Sequence, residues 1–485
     1  MSKVSIRAAS LSALRSNADQ VFRRSAGAPL IPGNAVRVLR NARENYPAWE
    51  DAINNAQSTI HVEMYIVHHD AVGRRFIELL AARARAGVRV RVLYDWFGCF
   101  LGPVLGLFTP LTRAGGEVRA CNPPRFSAAL GWTRRNHRKY ICVDGRLTYI
   151  SGLCMGRMWV GQPQKRLDPW RDTGIEIIGP ATAAGERGFA ESWSLFGGGT
   201  EPVEYPDEQS IAPAGDVALR LIYTEPFAAS MLRVDLLVAA MARQRLWIAD
   251  AYFIGHGPYV LALQQAARDG VDVRLLLPQG SDVGWTVPVS RTLYRTLLDA
   301  GVRIFEWNGT MMHAKTAVAD SQWARIGSTN LNLNSWVGNW ELDVAIEDAG
   351  VARTLEAHYE EDLDASREIV AEGTHGHAPL WPAGIEPEGL PRGRAPGATR
   401  RAARRALRTA TRVGQSISAA VMGSRQLEAW ESAPLATIGS VLLLSAIVGI
   451  WQPHFLSWPL AALAIWIGLS FVAQAMGFFR GRNLP

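Results

Sequence analysis

Lysine is scarce in this chain: only four of its 51 basic residues are lysines, and the others are arginines. A lysine ammonium is a compact charge that can sit against a single oxygen, whereas the arginine guanidinium is a flat, wide fork. A lysine retained in so arginine-rich a chain is therefore expected to do something that arginine cannot. Lys139 and Lys315 occupy the same position in two copies of one short motif.

Cysteine is also scarce, and no signal peptide is evident. The four cysteines, Cys99, Cys121, Cys142 and Cys154, show no CxxC spacing, so they indicate neither a disulfide framework nor a zinc site. We expect reduced thiols in a cytosolic compartment. The formal charge of +7 favours an anionic partner, which on charge alone is a nucleic acid, an acidic lipid surface or a phosphate-bearing substrate.

The body of the chain is an internal repeat. Residues 60–67 match residues 247–254, placing Glu63 opposite Asp250 and Tyr65 opposite Tyr252. These tyrosines fit either the lining of a substrate cleft or a hydrophobic core. Amphipathic helices alternate with β-branched strands in both halves, which predicts two pseudo-symmetric α/β sandwich lobes with mixed sheets. The predicted divisions are an N-terminal tail (1–30), lobe 1 (31–200), a linker rich in Gly, Pro and acids (201–214), and lobe 2 (215–372).

The C-terminal part differs in composition from the repeat. Residues 435–451 and 458–479 carry no charge, which predicts a transmembrane helical hairpin within residues 431–485. An apolar hairpin packed on the lobes is the alternative. The preceding linker, residues 373–430, contains eight arginines between Arg392 and Arg412, so the positive-inside rule places both ends of the hairpin in the cytoplasm.

The repeated motif is His-x-Lys-x4-Asp, in "NHRKYICVD" and "MMHAKTAVAD". Residues two apart on a strand project from the same face, so an imidazole and an ammonium can reach one ligand together. The second copy is followed by Gly327, Ser328 and Asn330, which can bring backbone N–H groups, a hydroxyl and an amide to phosphate oxygens. The pattern predicts an anion site.

These residues resemble the phospholipase D superfamily, whose signature HxKxxxxDxxxxxxGSxN is met in full from His313 to Asn330. Within it, "HRKYICVDGRLTYISGL", "WRDTGIEIIGP" and "NWELDVAI" are similar to the bacterial cardiolipin synthases, over about residues 35 to 365. The resemblance implies a pseudo-twofold site where both histidines meet, with no metal or other cofactor.

The resemblance also implies that one of the two histidines becomes a covalent phosphohistidine and that the other is the general acid. We expect His137 to be the nucleophile and His313 the acid. The lysines would neutralise phosphoryl oxygens. The candidate catalytic set is His137, Lys139, Asp144, His313, Lys315 and Asp320. The two aspartates, however, project from the face opposite the lysines and look more like structural residues at strand ends.

Residues expected to orient the histidines or bind phosphate complete the candidate site. We expect Glu341 to orient His313, and Asp172 to orient His137, with Asn339 and Trp170 beside them. Ser151, Ser328 and Asn330 are the remaining candidates for phosphate binding. The first lobe departs from the signature: Ser151 and Gly152 stand where it has Gly and Ser, and Cys154 replaces the Asn, so this half is expected to hold phosphate less firmly.

The function implied is joining two phosphatidylglycerols into cardiolipin and glycerol, at the cytoplasmic side of a bacterial inner membrane. The partners would be anionic phospholipid and the membrane, with no nucleic acid, and the oligomeric state is open. Phospholipase D hydrolysis is the alternative; a nuclease and a non-catalytic lipid-binding scaffold are weaker ones. Residues 95–111 are unusually apolar, which fits an acyl-chain groove or membrane contact as well as ordinary helix packing.

Overall fold

The structure, a computed structural model, describes residues 17–123, 134–162, 164, 167–197 and 204–370. The predicted Arg-rich linker and transmembrane hairpin lie outside these residues. Within the described ranges, no helix is both long and apolar enough to cross a bilayer.

The first half of the chain alternates strands with helices. In order it contains α1 (residues 17–26), β1 (Ile31–Arg40), α2 (Asn41–Asn55), β2 (Thr59–Met64), α3 (Ala71–Arg85), β3 (Arg89–Asp95), α4 (Leu101–Val104), α5 (Thr109–Arg113), β4 (Glu117–Cys121), β5 (Lys139–Val143), β6 (Leu147–Ser151), β7 (Thr173–Ile178) and α6 (Ala181–Gly197).

The second half repeats this order. It contains β8 (Val217–Thr224), α7 (Ser230–Met241), β9 (Arg245–Ala249), α8 (Gly257–Arg268), β10 (Asp272–Pro278), α9 (Thr286–Arg291), α10 (Tyr294–Leu298), β11 (Arg303–Trp307), β12 (Thr316–Ala319), β13 (Trp323–Gly327), a π-helical turn (Asn334–Gly338), β14 (Glu341–Glu347), α11 (Ala349–Asp364) and β15 (Ser366–Ile369).

All these strands belong to one mixed sheet in the order β15-β11-β10-β9-β12-β13-β14-β8-β1-β7-β6-β5-β2-β3-β4. The strands β2, β3 and β4, and their counterparts β9, β10 and β11, run parallel, and the other pairings are antiparallel. The halves meet where β1 pairs antiparallel with β8, and the order outward from that seam is the same on both sides. The predicted α/β fold with a mixed sheet is confirmed.

Helices cover both faces of the sheet. Along β5, Ile141 and Val143 join the core beneath α2 and α3, whereas the alternate residues Tyr140 and Cys142 join the core beneath α6. A core of this kind, buried on both faces, explains why the strands read as nearly continuous apolar runs.

Residues 17–26 of the predicted N-terminal tail form a helix. Helix α1 packs Phe22 against the core of lobe 2, Ala26 and Ala28 are themselves members of that core, and Asp19 pairs with the buried guanidinium of Arg220. The segment before β1 therefore contributes to the second lobe although it precedes the first.

Candidate active site

The two motif histidines lie where the lobes meet. The backbone N–H of His137 donates to the carbonyl of Trp340 at 2.8 Å, and that of His313 donates to the carbonyl of Arg171 at 2.7 Å. Each histidine thus precedes a strand of its own lobe, while its backbone is paired with the segment that leads into β7 or β14 of the other lobe. The lobes share one site.

Each histidine also receives its carboxylate from the other lobe. His137 Nδ1 lies 2.8 Å from Glu341 Oε2, and His313 Nδ1 lies 2.6 Å from Asp172 Oδ2. The predicted assignment, Glu341 with His313 and Asp172 with His137, is therefore wrong. Two parallel β-bridges between the lobes, Asn136–Trp340 and Arg171–Met312, place each carboxylate beside the histidine of the other lobe.

Glu341 accepts further hydrogen bonds that fix its orientation. Ser328 Oγ donates to Oε2 at 2.6 Å, and Asn339 Nδ2 donates to Oε1 at 3.1 Å. Ser328, predicted to bind phosphate, instead donates a hydrogen bond to Glu341, the carboxylate that pairs with His137. The predicted place of Asn339 beside Glu341 agrees with the structure.

Asp172 is equally enclosed. Trp159 Nε1 donates to Oδ2 at 2.9 Å and the backbone N–H of Thr173 donates to Oδ1 at 2.9 Å, while the Trp170 ring packs 5.2 Å from the His313 ring. An ionised carboxylate only accepts hydrogen bonds, so the Nδ1 atom of each histidine carries the proton. Each Nε2 then keeps a lone pair for chemistry.

The motif lysines have matching environments. Lys139 Nζ donates to the carbonyl of His137, and Lys315 Nζ donates to the carbonyl of His313. Both side chains are buried. Each ammonium is thereby held beside its histidine, and Lys139 also lines the cleft between the lobes.

Tyr65 and Tyr252 line the cleft. The Tyr65 ring meets His137 edge-on at 4.7 Å, and the Tyr252 ring meets His313 edge-on at 5.9 Å. The motif lysines lie over the same rings, at 5.1 and 5.6 Å. Both alternatives left open by the sequence are observed, because the two tyrosines line the cleft and also pack against the core of lobe 1.

Burial dominates the electrostatics. It lowers the pKa of both motif histidines to about 4, helped by the nearby lysines, so both imidazoles are neutral at pH 7. Burial also lowers the pKa of Lys139, and it lowers that of Lys315 to about 8. For Glu341 and Asp172, burial alone would raise the pKa, but the paired histidines hold it below its ordinary value. Two carboxylates thus balance two ammonium groups.

The site opens into a cleft of about 900 Å³. Asn330 lines it, and its Oδ1 is a buried atom without a hydrogen-bond partner among the described residues. Cys154 lines it at the corresponding position of lobe 1. Burial raises the pKa of this thiol, so lobe 1 presents a neutral, weak donor where lobe 2 presents an amide.

The motif aspartates do not reach this cleft. The Asp144 carboxylate accepts the backbone N–H groups of residues 57–59, and the Asp320 carboxylate accepts those of residues 243–245. Both residues have positive φ, 54° and 51°, in a turn where Asp is well tolerated. Their inclusion in the catalytic set is corrected: they tie the turn after the motif strand to the strand beside it.

Ser151 likewise does not line the cleft; it is buried, and its Oγ donates to the carbonyl of Leu153 at 3.3 Å. The departure at Gly152 has a steric reason: a Cβ there would lie 2.1 Å from Asp172 Oδ1. Of the three predicted phosphate-binding residues, only Asn330 lines the cleft.

The sequence did not single out the buried ion pairs that support the turn before Asn330. Arg325 Nε contacts Asp343 Oδ1 at 3.0 Å, and its NH1 contacts Asp235 Oδ1 at 3.1 Å. Thr329 Oγ1 donates to Asp343 as well. An arginine inside the apolar strand β13 was the available signal.

Comparison with known proteins identifies the family. The model "Cardiolipin synthase, PLD-like domain" matches residues 50–157 and 238–363. Cardiolipin synthase A of Pseudomonas syringae is 34% identical over 359 residues, covering 72% of each chain, and a probable cardiolipin synthase of Bacillus subtilis is 30% identical over 69% of this chain and 67% of its own.

The solved structure of phosphatidylserine synthase from Haemophilus influenzae matches this chain with a TM-score of 0.57 at 12% sequence identity. The match covers 72% of this chain and 91% of the synthase chain, and it supports the fold alone. The family model and the two curated relatives agree over both lobes. The chain belongs to the cardiolipin synthase family of the phospholipase D superfamily.

Proposed function

We propose that this protein transfers the phosphatidyl group of one phosphatidylglycerol to a second, forming cardiolipin and releasing glycerol. The observation that carries the proposal is that two buried histidines line one cleft, and that each pairs with a carboxylate of the other lobe and has a buried lysine beside it. The curated relatives carry the same activity in their names.

In the first step, Nε2 of His137 attacks phosphorus and a P–N bond forms. The bond from phosphorus to the glycerol oxygen breaks, and His313 Nε2 gives its proton to the departing alkoxide. Glu341 stabilises the positive charge that develops on His137, and the motif lysines oppose the charge on the phosphoryl oxygens.

In the second step, a hydroxyl of another phosphatidylglycerol gives its proton to His313 Nε2. Its oxygen attacks phosphorus, and the P–N bond to His137 breaks. Cardiolipin leaves and both histidines return to their starting state. If water takes the place of the lipid hydroxyl, the product is phosphatidic acid.

Charge balance explains how a histidine with a lowered pKa gains the proton that it must donate. The two motif lysines and the two carboxylates sum to zero, so a bound phosphodiester adds one uncompensated negative charge. A nearby anion favours the imidazolium form. Substrate binding therefore raises the pKa of His313 and recruits the proton used in the first step.

The protein is further proposed to act at the cytoplasmic face of a bacterial inner membrane, with lobes 31–200 and 215–372 as the catalytic unit and residues 431–485 as the anchor. Contact with lipid is supported by exposed apolar side chains in and beside α4, namely those of Phe100, Leu101, Val104 and Leu105. The exposed Trp285 at the cleft supports it as well. Val104 is 79% exposed, which ordinary helix packing does not explain.

The test is to incubate detergent-solubilised full-length protein with labelled phosphatidylglycerol and to resolve the lipid products. His313→Ala is the inactive variant, and His69→Ala, an exposed histidine outside the cleft lining, is the matched control. Cardiolipin with equimolar glycerol, made by wild type and His69→Ala only, supports the transferase. Phosphatidic acid alone would replace it with a hydrolase, and no turnover by the wild type would refute both.

A further inference from the structure

The pseudo-symmetric cleft is electrically unsymmetric. The two cleft tyrosines occupy equivalent places, each edge-on to its own motif histidine. Beside Tyr65 stands Arg135, a cation of the cleft lining, which opposes the burial and the Asp95 carboxylate that raise the pKa of the phenol. Tyr252 instead donates its hydroxyl to Asp282 Oδ1 at 2.7 Å, and burial together with this carboxylate raises its pKa.

A carboxylate is unexpected in a cleft that receives a phosphodiester. Asp282 lines the cleft and is exposed. Within the described ranges, the side-chain hydrogen bonds that it receives, from Tyr252 and at 3.4 Å from Ser281, both end on Oδ1. A carboxylate has about four acceptor positions, so Asp282 retains the capacity to accept hydrogen bonds from a ligand.

The neighbouring lining has the chemistry of a hydroxyl-binding surface. The side-chain amides of the cleft lining all come from lobe 2 and include Asn330, Asn332 and Asn334, with Ser335 beside them. Lobe 1 contributes the cations Arg135 and Lys139 together with apolar groups such as Phe97. Asn332 Nδ2 donates to the carbonyl of Tyr252 at 3.0 Å, which joins this polar surface to the tyrosine that carries Asp282.

We propose that Asp282, oriented by Tyr252, is the subsite for the hydroxyls of a glycerol headgroup. Adjacent hydroxyls present two O–H donors to a carboxylate, whose charge makes those bonds stronger than neutral ones. The subsite lies on the side of His313, so the glycerol that departs and the lipid hydroxyl that replaces it occupy one place next to the acid. This inference rests on the proposed function and gives His313, not His137, the acid's role.

The experiment compares two donor lipids that differ only in headgroup hydroxyls, phosphatidylglycerol and phosphatidylmethanol, in the same mixed micelles. Asp282→Asn is expected to lower the ratio of their kcat/KM values about 10- to 100-fold, the loss of a charge-assisted hydrogen bond. Tyr252→Phe should shift it less, in the same direction. Asp269→Asn, an exposed acid of lobe 2 outside the cleft lining, is the matched control and leaves the ratio unchanged.

A ratio unchanged in Asp282→Asn while the wild type makes cardiolipin overturns the subsite and leaves the proposed function standing. Phosphatidylethanolamine is the third donor: if Asp282→Asn depresses its turnover more than that of phosphatidylglycerol, the carboxylate serves an ammonium headgroup and the proposal is wrong. If the wild type converts none of the three lipids, the proposed function fails and the subsite falls with it.

Discussion

Asp172→Asn is predicted to disable His313 while leaving His137 intact. Asp172 Oδ2 accepts from His313 Nδ1 and Trp159 Nε1, and Oδ1 accepts from the backbone N–H of Thr173. An asparagine at this position must turn its NH₂ toward one of these donors. Either choice loses a hydrogen bond, and pointing the NH₂ at His313 forces the tautomer that has the proton on Nε2 and the lone pair on Nδ1.

The expected cost follows from these contacts. Losing one charge-assisted hydrogen bond costs about 1.5–3 kcal/mol, a factor of about 10–150. Imposing the wrong tautomer costs more, because an equivalent Asp-to-Asn change at a serine protease histidine lowers kcat about 10⁴-fold. We expect kcat for phosphatidylglycerol to fall about 10³- to 10⁴-fold, with a smaller change in KM because Asp172 is a positioning residue that does not touch the lipid.

The assay uses a nitrophenyl ester of phosphatidic acid, whose leaving group departs without a general acid, in a double-mutant cycle. In a His313→Ala background, Asp172→Asn should change the nitrophenolate burst less than about threefold, since its partner is already gone. Glu341→Gln should still lower that burst at least 100-fold in the same background, because it acts on His137. A nitrophenolate burst lowered as much by Asp172→Asn as by Glu341→Gln would refute the cross-lobe pairing.

Three further outcomes are expected. Asp144→Ala should lower the free energy of unfolding by about 1–3 kcal/mol and leave kcat per folded molecule unchanged, because it removes acceptors of backbone N–H groups and not a group of the cleft. The measurement is the thermal midpoint, and a lost kcat with an unchanged midpoint would contradict this prediction. Burial lowers the pKa of Lys315 to about 8, so its charged form exists below that pH, and kcat/KM should fall as pH rises through about 8; a profile flat to pH 10 would oppose the assignment. Replacing Leu101 and Val104 by Ser should weaken binding to phosphatidylglycerol vesicles about tenfold per residue, measured by sedimentation. Turnover of a water-soluble nitrophenyl phosphodiester is the reference, and unchanged vesicle binding would exclude α4 from the lipid contact.

The sequence predicted the parts of the site that the repeat carries. A repeated motif identifies equivalent positions, so the residue pattern alone locates the lysines and histidines of both copies. Strand alternation further indicated that His313 and Lys315 share a face. The same alternation separated Asp320 from them, and its carboxylate does lie among the backbone N–H groups of residues 243–245.

The repeat could not predict which histidine each carboxylate pairs with. Repeat register says that Asp172 and Glu341 are equivalent, but it does not say whether a side chain acts within its own copy or in the other. Around a pseudo-twofold axis both arrangements keep the symmetry. The choice is made by backbone pairing between lobes, such as the N–H of Arg171 with the carbonyl of Met311 at 2.9 Å, which no local pattern encodes.

Helix α1 was missed for a different reason. It contacts lobe 2 through few apolar side chains, chiefly Phe22 and Ala26, so its periodicity is weak. The ion pair of Asp19 with Arg220 joins positions about two hundred residues apart. Contacts of such separation leave no trace in a single sequence.

The exchange of carboxylates between lobes has a consequence for a chain still being synthesised. A ribosome that has completed lobe 1 has already made His137 and Lys139, yet Glu341, the carboxylate that pairs with this histidine, is translated about two hundred residues later. His313 in turn depends on a residue of the earlier half. No fragment that ends before β14 contains a finished pair for His137. A half-made protein would thus hold one histidine of the site without the carboxylate that fixes its orientation.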